Sequence, residues 1–147
     1  MKTWRDHLIE DEVGIADVLR STRAIAVLGI KTIERADQPA YYVPEYMQKA
    51  GYRILPVPVY HPEAREILGE PVYRRVADVR TPIDMVNVFR RPRDIPPHVD
   101  DIIAAKPDSV WFQLGIRNEA AAQALARAGI RVVQDRCLMV EHRKRID

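Results

Sequence analysis

The chain has 147 residues, is 47% hydrophobic and 30% charged, and carries a formal net charge of +2. That length suits one domain with one sizeable core, here residues 1–147. The near-balance of charge excludes a general nucleic-acid or membrane surface while permitting a local basic patch.

The N-terminal stretch MKTWRDHLIEDE is charged and has no apolar segment of the kind a signal peptide carries. No apolar run approaches the roughly 20 residues that a bilayer-spanning helix needs. Cys137 is the only cysteine, so no internal disulfide forms. A reducing compartment, the cytoplasm, is the expectation. Asp11 to Ser21 then sets Val13, Ala16 and Leu19 on one helical face.

Five short runs follow that are apolar nearly throughout: Ala24–Leu28, Tyr52–Val57, Asp84–Phe89, Ser109–Gln113 and Ile130–Gln134. Continuous rather than alternating apolarity is the mark of strands buried on both faces of a parallel sheet. Helical patterns separate the runs. Pro39 to Ala50 opens on proline and stops at Gly51, with Pro44 inside it predicting a bend or a delayed start. His98 to Ala105 follows Pro96-Pro97, and Asn118 to Ala128 has Asn118 as N-cap and Gly129 as stop. Asp100 and Asp101 fall on a helix surface and are expected to be solvated. Tyr60 to Thr81 reads as irregular with short helical pieces, and Cys137 to Arg145 as a closing helix. No repeat, low-complexity tract or linker interrupts the chain.

This alternation predicts an α/β, Rossmann-like, doubly wound parallel sheet of about five strands with helices on both faces. The strand order expected is 3-2-1-4-5. Ligands of such sheets bind beyond the carboxyl ends of the strands, where the order reverses. The candidate loops are therefore Gly29–Gln38, Pro58–His61, Arg90–Pro96, Leu114–Arg117 and Asp135–Cys137.

The first loop lies in AIAVLGIKTIERADQPAYY, residues 24–42. Gly29 permits a tight turn and close backbone approach. Amides near Gln38 to Tyr41 can face an anion, and Lys31 and Arg35 add positive charge. The dinucleotide pattern G-x-G-x-x-G is absent. The second strand ends Leu55-Pro56-Val57-Pro58, without the acidic residue that binds a ribose diol. Both points argue against NAD and favour a nucleotide bearing extra phosphate.

The run FRRPRD, Phe89 to Asp94, puts three arginines just past a buried strand. Guanidinium groups bind phosphate in bidentate fashion and stack on adenine. The run WFQLGIRNE, Trp111 to Glu119, repeats the strand–glycine–helix design. Gly115 offers a second close approach, and Gln113 is placed to bond a ligand from the strand end. Asp135, Arg136 and Cys137 end the sheet. The histidines His7, His61, His98 and His142 are scattered in sequence and form no metal motif. A nucleophile elbow and a P-loop are also absent.

The segments IAVLGI (25–30), YYVPEYMQKAGYRILPV (41–57), EILGEPVYRRVADV (66–79), DMVNVFRRPRDIP (84–96) and VWFQLGIRNEAAAQALARAGIRVVQDRCLMVEH (110–142) together carry a resemblance. From about residue 12 to residue 142 the chain resembles the small stand-alone CoA-binding proteins. These are similar to the CoA-binding domain of the succinyl-CoA synthetase α subunit.

The resemblance implies a Rossmann-like domain that binds the ADP part of coenzyme A or an acyl-CoA. It implies that Gly29, Ile30, Lys31 and Thr32 hold the phosphates, and that Phe89, Arg90 and Arg91 line the adenosine. Gln113 to Ile116, including Gly115, would lie along the pantetheine path. Arg35, Tyr41, Val57 and Pro58 complete the candidate set. Family members usually have Asn-Pro after the second strand. Here the loop reads Val57-Pro58-Val59-Tyr60-His61-Pro62, slightly longer. Nothing in these residues resembles the synthetase's phosphohistidine domain, so ligase activity is not carried over.

Three functions stay open: a noncatalytic CoA-binding, sensing or regulatory module; an acyl-CoA- or nucleotide-processing enzyme using Cys137 or Asp135; and an interaction protein with a vestigial cleft. A protein partner or a second copy of the chain is compatible with each.

Overall fold

The computed structural model describes residues 3–145. Its centre is a five-stranded sheet, all parallel: β1 (Ala24–Leu28), β2 (Arg53–Val57), β5 (Met85–Val88), β6 (Ser109–Phe112) and β7 (Arg131–Val133). Every residue of β1, β5 and β6 is buried, as the unbroken apolar runs require. Two further strands, β3 (Glu66–Ile67) and β4 (Glu70–Pro71), make a short antiparallel hairpin.

The helices are α1 (Glu12–Arg20), α2 (Pro39–Lys49), α3 (Val99–Ala105), α4 (Glu119–Arg127) and α5 (Leu138–Arg145). None of the described helices is long and apolar enough to cross a membrane. Alternate residues of each strand face opposite layers. Ala26, Val86, Val110 and Phe112 pack with Ile102 of α3 and Leu125 of α4, whereas Val27, Met85 and Trp111 pack with Leu19 of α1, Met47 of α2 and Leu138 of α5. Trp111 and Phe112 are therefore core residues of the two layers. Asp11 caps α1 through Gly14 N–H, and Asn118 caps α4 through Ala121 N–H, supplying acceptors that the first turns lack.

The sheet order is β2-β1-β5-β6-β7. This order matches a 3-2-1-4-5 pattern, with the hairpin a separate two-stranded sheet lying outside β2, where Tyr73, just past β4, donates its N–H to the Pro56 carbonyl at 2.9 Å. The strand expected at Asp84–Phe89 is not that outermost element. It pairs directly with β1, Ile25 opposite Met85 and Leu28 opposite Val88. The chain thus leaves β1 toward β2 on one side and returns to β5 on the other. A crevice opens at the carboxyl ends of β1 and β5.

Two expectations change. α2 runs unbroken through Pro44. Asp101 is not merely solvated: its carboxylate accepts the Val76 and Ala77 amides at 2.8 and 3.0 Å, fixing the 3₁₀ turn Val76–Asp78 against α3.

Candidate functional site

Backbone geometry at the ends of β1 and β5 creates the site. Gly29 has φ +90°, and its N–H donates to the Val57 carbonyl at 2.9 Å. A Cβ here would stand 2.4 Å from the Phe89 carbonyl oxygen. The two loops therefore touch main chain to main chain, a contact that only glycine allows. Phe89 N–H completes the junction by donating to the Leu28 carbonyl at 2.9 Å.

The loop after Gly29 is tied to α2. Lys31 N–H donates to the Ala40 carbonyl at 3.1 Å. That carbonyl is the one a non-proline residue at 44 would bond four residues on, and Pro44 has no N–H to give it. The proline thus frees an acceptor which holds the Lys31 backbone. At the start of α2, the Tyr41 and Tyr42 amides both donate to the Gln38 carbonyl. Gln38 gives no side-chain cap. The amides of Gln38 and Tyr41, expected to face an anion, are thus engaged in the turn, Gln38 N–H with the Arg35 carbonyl, and Pro39 has no N–H; the helix dipole leaves positive potential beside Lys31.

A cleft of about 370 Å³ lies on the α2 side of this junction. Its walls are Lys31 with Gln38–Ala40, then Phe89–Pro92, then Gln113–Ile116. The last wall is latched to the end of β7. Gly115 N–H donates to the Asp135 carboxylate at 2.7 Å, and Asp135 N–H donates to the Ile116 carbonyl at 3.1 Å. These bonds hold Asp135 at φ +59°, a conformation uncommon for a non-glycine residue.

The arginines of FRRPRD differ in availability. Arg91 Nε donates to the Asp94 carboxylate at 2.7 Å, which holds Asp94 below the usual carboxylate range and raises Arg91. Arg90 has no carboxylate partner among the described residues. Its Nη1 donates to the Tyr60 hydroxyl at 3.3 Å, and its Nε is buried without an acceptor. Lys31 Nζ stands 4.7 Å from the centre of the same Tyr60 ring.

Of the sequence candidates, the cleft gathers Lys31, Phe89, Arg90, Arg91, Gln113, Gly115 and Ile116, with Gly29 behind them. The others lie elsewhere. The Ile30 and Val57 side chains are buried in the two core layers. Thr32 and Tyr41 line a second cleft, of about 330 Å³, against the hairpin residues Ile67 and Leu68. Burial of Tyr41 also raises its hydroxyl pKa. Pro58 lines a third cleft on the opposite layer with Leu28, Pro97 and His98. Arg35 is exposed on the loop.

Gln113 is buried rather than extended from the strand end. Its side-chain carbonyl accepts from Asn87 Nδ2 at 3.4 Å and Leu138 N–H at 3.3 Å. Cys137 is half-buried in a separate cleft with Leu114, Arg117 and Val140. No histidine lines that cleft, and the Asp135 carboxylate is engaged with Gly115. Among the described residues, no group of three or more His, Cys, Asp or Glu side chains is placed to hold a metal.

Tyr60 is the residue that sequence reasoning missed. Its only signal was an aromatic in a proline-flanked loop, and its role depends on two cations from distant loops.

The family model of the CoA binding domain matches residues 23–143, nearly all of the sheet and its loops. The chain belongs to the CoA-binding domain family. It is 35% identical over 128 residues to the uncharacterized protein YneT of Bacillus subtilis (strain 168), covering 87% of this chain and 91% of that protein. Among solved structures it is similar to cell-free ID.343 from Thermus thermophilus. The TM-score is 0.84 and the identity 38%, covering 93% of this chain and all of the other. A hypothetical protein from Pyrococcus horikoshii OT3 superposes with a TM-score of 0.83 at 28% identity, covering 94% of each chain. In this chain the junction of Gly29 and Phe89 and the cleft beside it lie where the order of the sheet reverses.

Proposed function

We propose that residues 1–147 form one noncatalytic module. It binds coenzyme A or an acyl-CoA through the ADP moiety, at the carboxyl ends of the parallel strands, and serves in binding, sensing or regulation. The observation that carries this reading is the pair Lys31 and Arg90. Both cations border the main-chain junction at Gly29, and among the described residues neither forms an ion pair with a carboxylate. A diphosphate supplies the missing negative charge, and the first turn of α2 adds potential of the same sense.

In this arrangement the loop Gly29–Thr32 borders the phosphates. Ile30 contributes main chain only, because its side chain is in the core. Phe89 and Arg90 flank the adenosine, and the latched turn Gln113–Ile116 borders the pantetheine arm. Arg91 contributes general positive charge. The noncatalytic reading rests on the engaged Asp135 carboxylate and on the absence of histidine from the walls around Cys137.

Thermal denaturation with CoA, acetyl-CoA, NAD, NADP and ATP tests the proposal. A ligand at a hundredfold excess over its Kd stabilises by about 2.7 kcal/mol. For a chain of this size that raises the melting temperature by about 5–10 °C. Stabilisation by CoA or acetyl-CoA is expected. Stabilisation by NAD and not by CoA rejects the reading.

A further inference from the structure

We propose that Tyr60 is a positioning residue which holds Lys31 and Arg90 toward a diphosphate without neutralising either; this rests on the CoA-binding reading above. Lys31 Nζ lies 4.7 Å, and the Arg90 guanidinium carbon 5.4 Å, from the centre of the one Tyr60 ring. The Tyr60 hydroxyl also accepts from Arg90 Nη1 at 3.3 Å. Three loops, following β1, β2 and β5, thus converge on one aromatic side chain.

A carboxylate in this place would hold the cations equally well, but its negative charge would compete with a phosphate. An aromatic face attracts a cation through its quadrupole and leaves the formal charge intact. The hydroxyl engages one edge of the Arg90 fork, while the buried Nε–H has no acceptor. No carboxylate among the described residues pairs with this guanidinium, so its charge is left for a phosphate to meet.

The ring is itself fixed by its loop. Pro58 and Pro62 restrict the backbone on either side. His61 holds φ +67°, and Arg74 donates to the carbonyls of His61, Pro62 and Ala64. Tyr60 is 53% exposed, so this anchoring serves the direction of the ring and not core packing. The Arg90 hydrogen bond and charge also lower the Tyr60 hydroxyl pKa.

The experiment is a double-mutant cycle read as CoA affinity by calorimetry. Tyr60→Ala should weaken CoA binding about tenfold, and Tyr60→Phe, which keeps the ring, by about threefold or less. In a chain already carrying Lys31→Met and Arg90→Gln, Tyr60→Ala should cost less than about twofold, because nothing remains for the ring to hold. The same loss in both backgrounds makes Tyr60 a general support of the loop and overturns the inference. So does a Tyr60→Ala variant whose affinity matches wild type. In either case the CoA reading stands. Failure of the wild-type chain to bind CoA removes the reading and the inference together.

Discussion

Gly29→Ala isolates the contact on which the cleft is built. Two costs add at this position. The first is conformational: a residue with a side chain held at φ +90° is strained by about 1–3 kcal/mol. The second is steric. The new Cβ meets the Phe89 carbonyl oxygen at 2.4 Å, about 1 Å inside ordinary van der Waals contact. The obstacle is main chain, so no rotamer change relieves it. The loops after β1 and β5 must part, straining the bonds from Gly29 N–H to Val57 and from Phe89 N–H to Leu28. Overpacking of this kind costs about 1–3 kcal/mol.

The sum, about 2–6 kcal/mol, lowers the melting temperature by roughly 5–20 °C for a chain of this size. Gly51→Ala is the control. Gly51 has φ +105°, but nothing lies within 4 Å of its would-be Cβ, so that variant bears the conformational cost alone. Thermal melts and urea titrations of the two variants give the steric part by difference. Gly29→Ala should also lose CoA affinity at temperatures where it remains folded, whereas Gly51→Ala should keep it. If the two variants melt at the same temperature, the close approach of the loops is not a constraint and the reasoning fails.

Arg90→Ala should weaken CoA binding by about 1.5–3 kcal/mol, the worth of a hydrogen bond to a charged group. Arg91→Ala should weaken it less, since Arg91 is held by Asp94; calorimetry showing the reverse ranking would reassign the phosphate contact. Burial lowers the pKa of both His98 and His142 from the ordinary 6.5, and the Arg90 charge adds to the effect at His98. The unfolded chain then binds more protons than the folded one below about pH 6.5. Stability should be level above that pH and fall as pH drops from there toward the lowered folded values. Urea titrations of a His98→Gln/His142→Gln variant should show a shallower fall, and an unchanged slope would discard these groups as its cause. Asp101→Ala orphans the Val76 and Ala77 amides and should cost about 2 kcal/mol in urea, with a loss under 0.5 kcal/mol counting against the anchoring role.

The parts of this fold that were legible in sequence are those set by local pattern. Buried parallel strands leave runs such as AIAVL and SVWF, and Asn118 at the head of NEAAAQALARA announces its own cap. The neighbours of the third parallel run were not legible in local pattern, for a physical reason. Whether Asp84–Phe89 lies beside β1 or outside β2 depends on what else covers the β2 edge. The covering hairpin has strands of only two residues each, too short for any alternation to register. The aromatic partner, unlike the acid, was hidden for a related reason. Asp94 lies three residues from Arg91, on the same short turn, and that spacing alone hints at which arginine is neutralised. Tyr60 is 29 residues from Lys31 and 30 from Arg90, and no pattern within a window of ordinary length can link them.

Pro44 shows how a misfit with local rules becomes informative. Proline in a helix interior ordinarily costs about 3 kcal/mol, through a lost bond and a ring clash. By sequence alone it therefore argues for a bend. In the folded chain α2 continues, and the carbonyl left without its helical donor takes Lys31 N–H instead. A buried carbonyl rarely stays unpaired, so the defect in the helix creates an attachment point for the loop that precedes it. That attachment fixes the backbone of the residue whose ammonium group faces Tyr60 and the cleft. The departure from regular helix and the position of the candidate phosphate-binding cation thus have one cause.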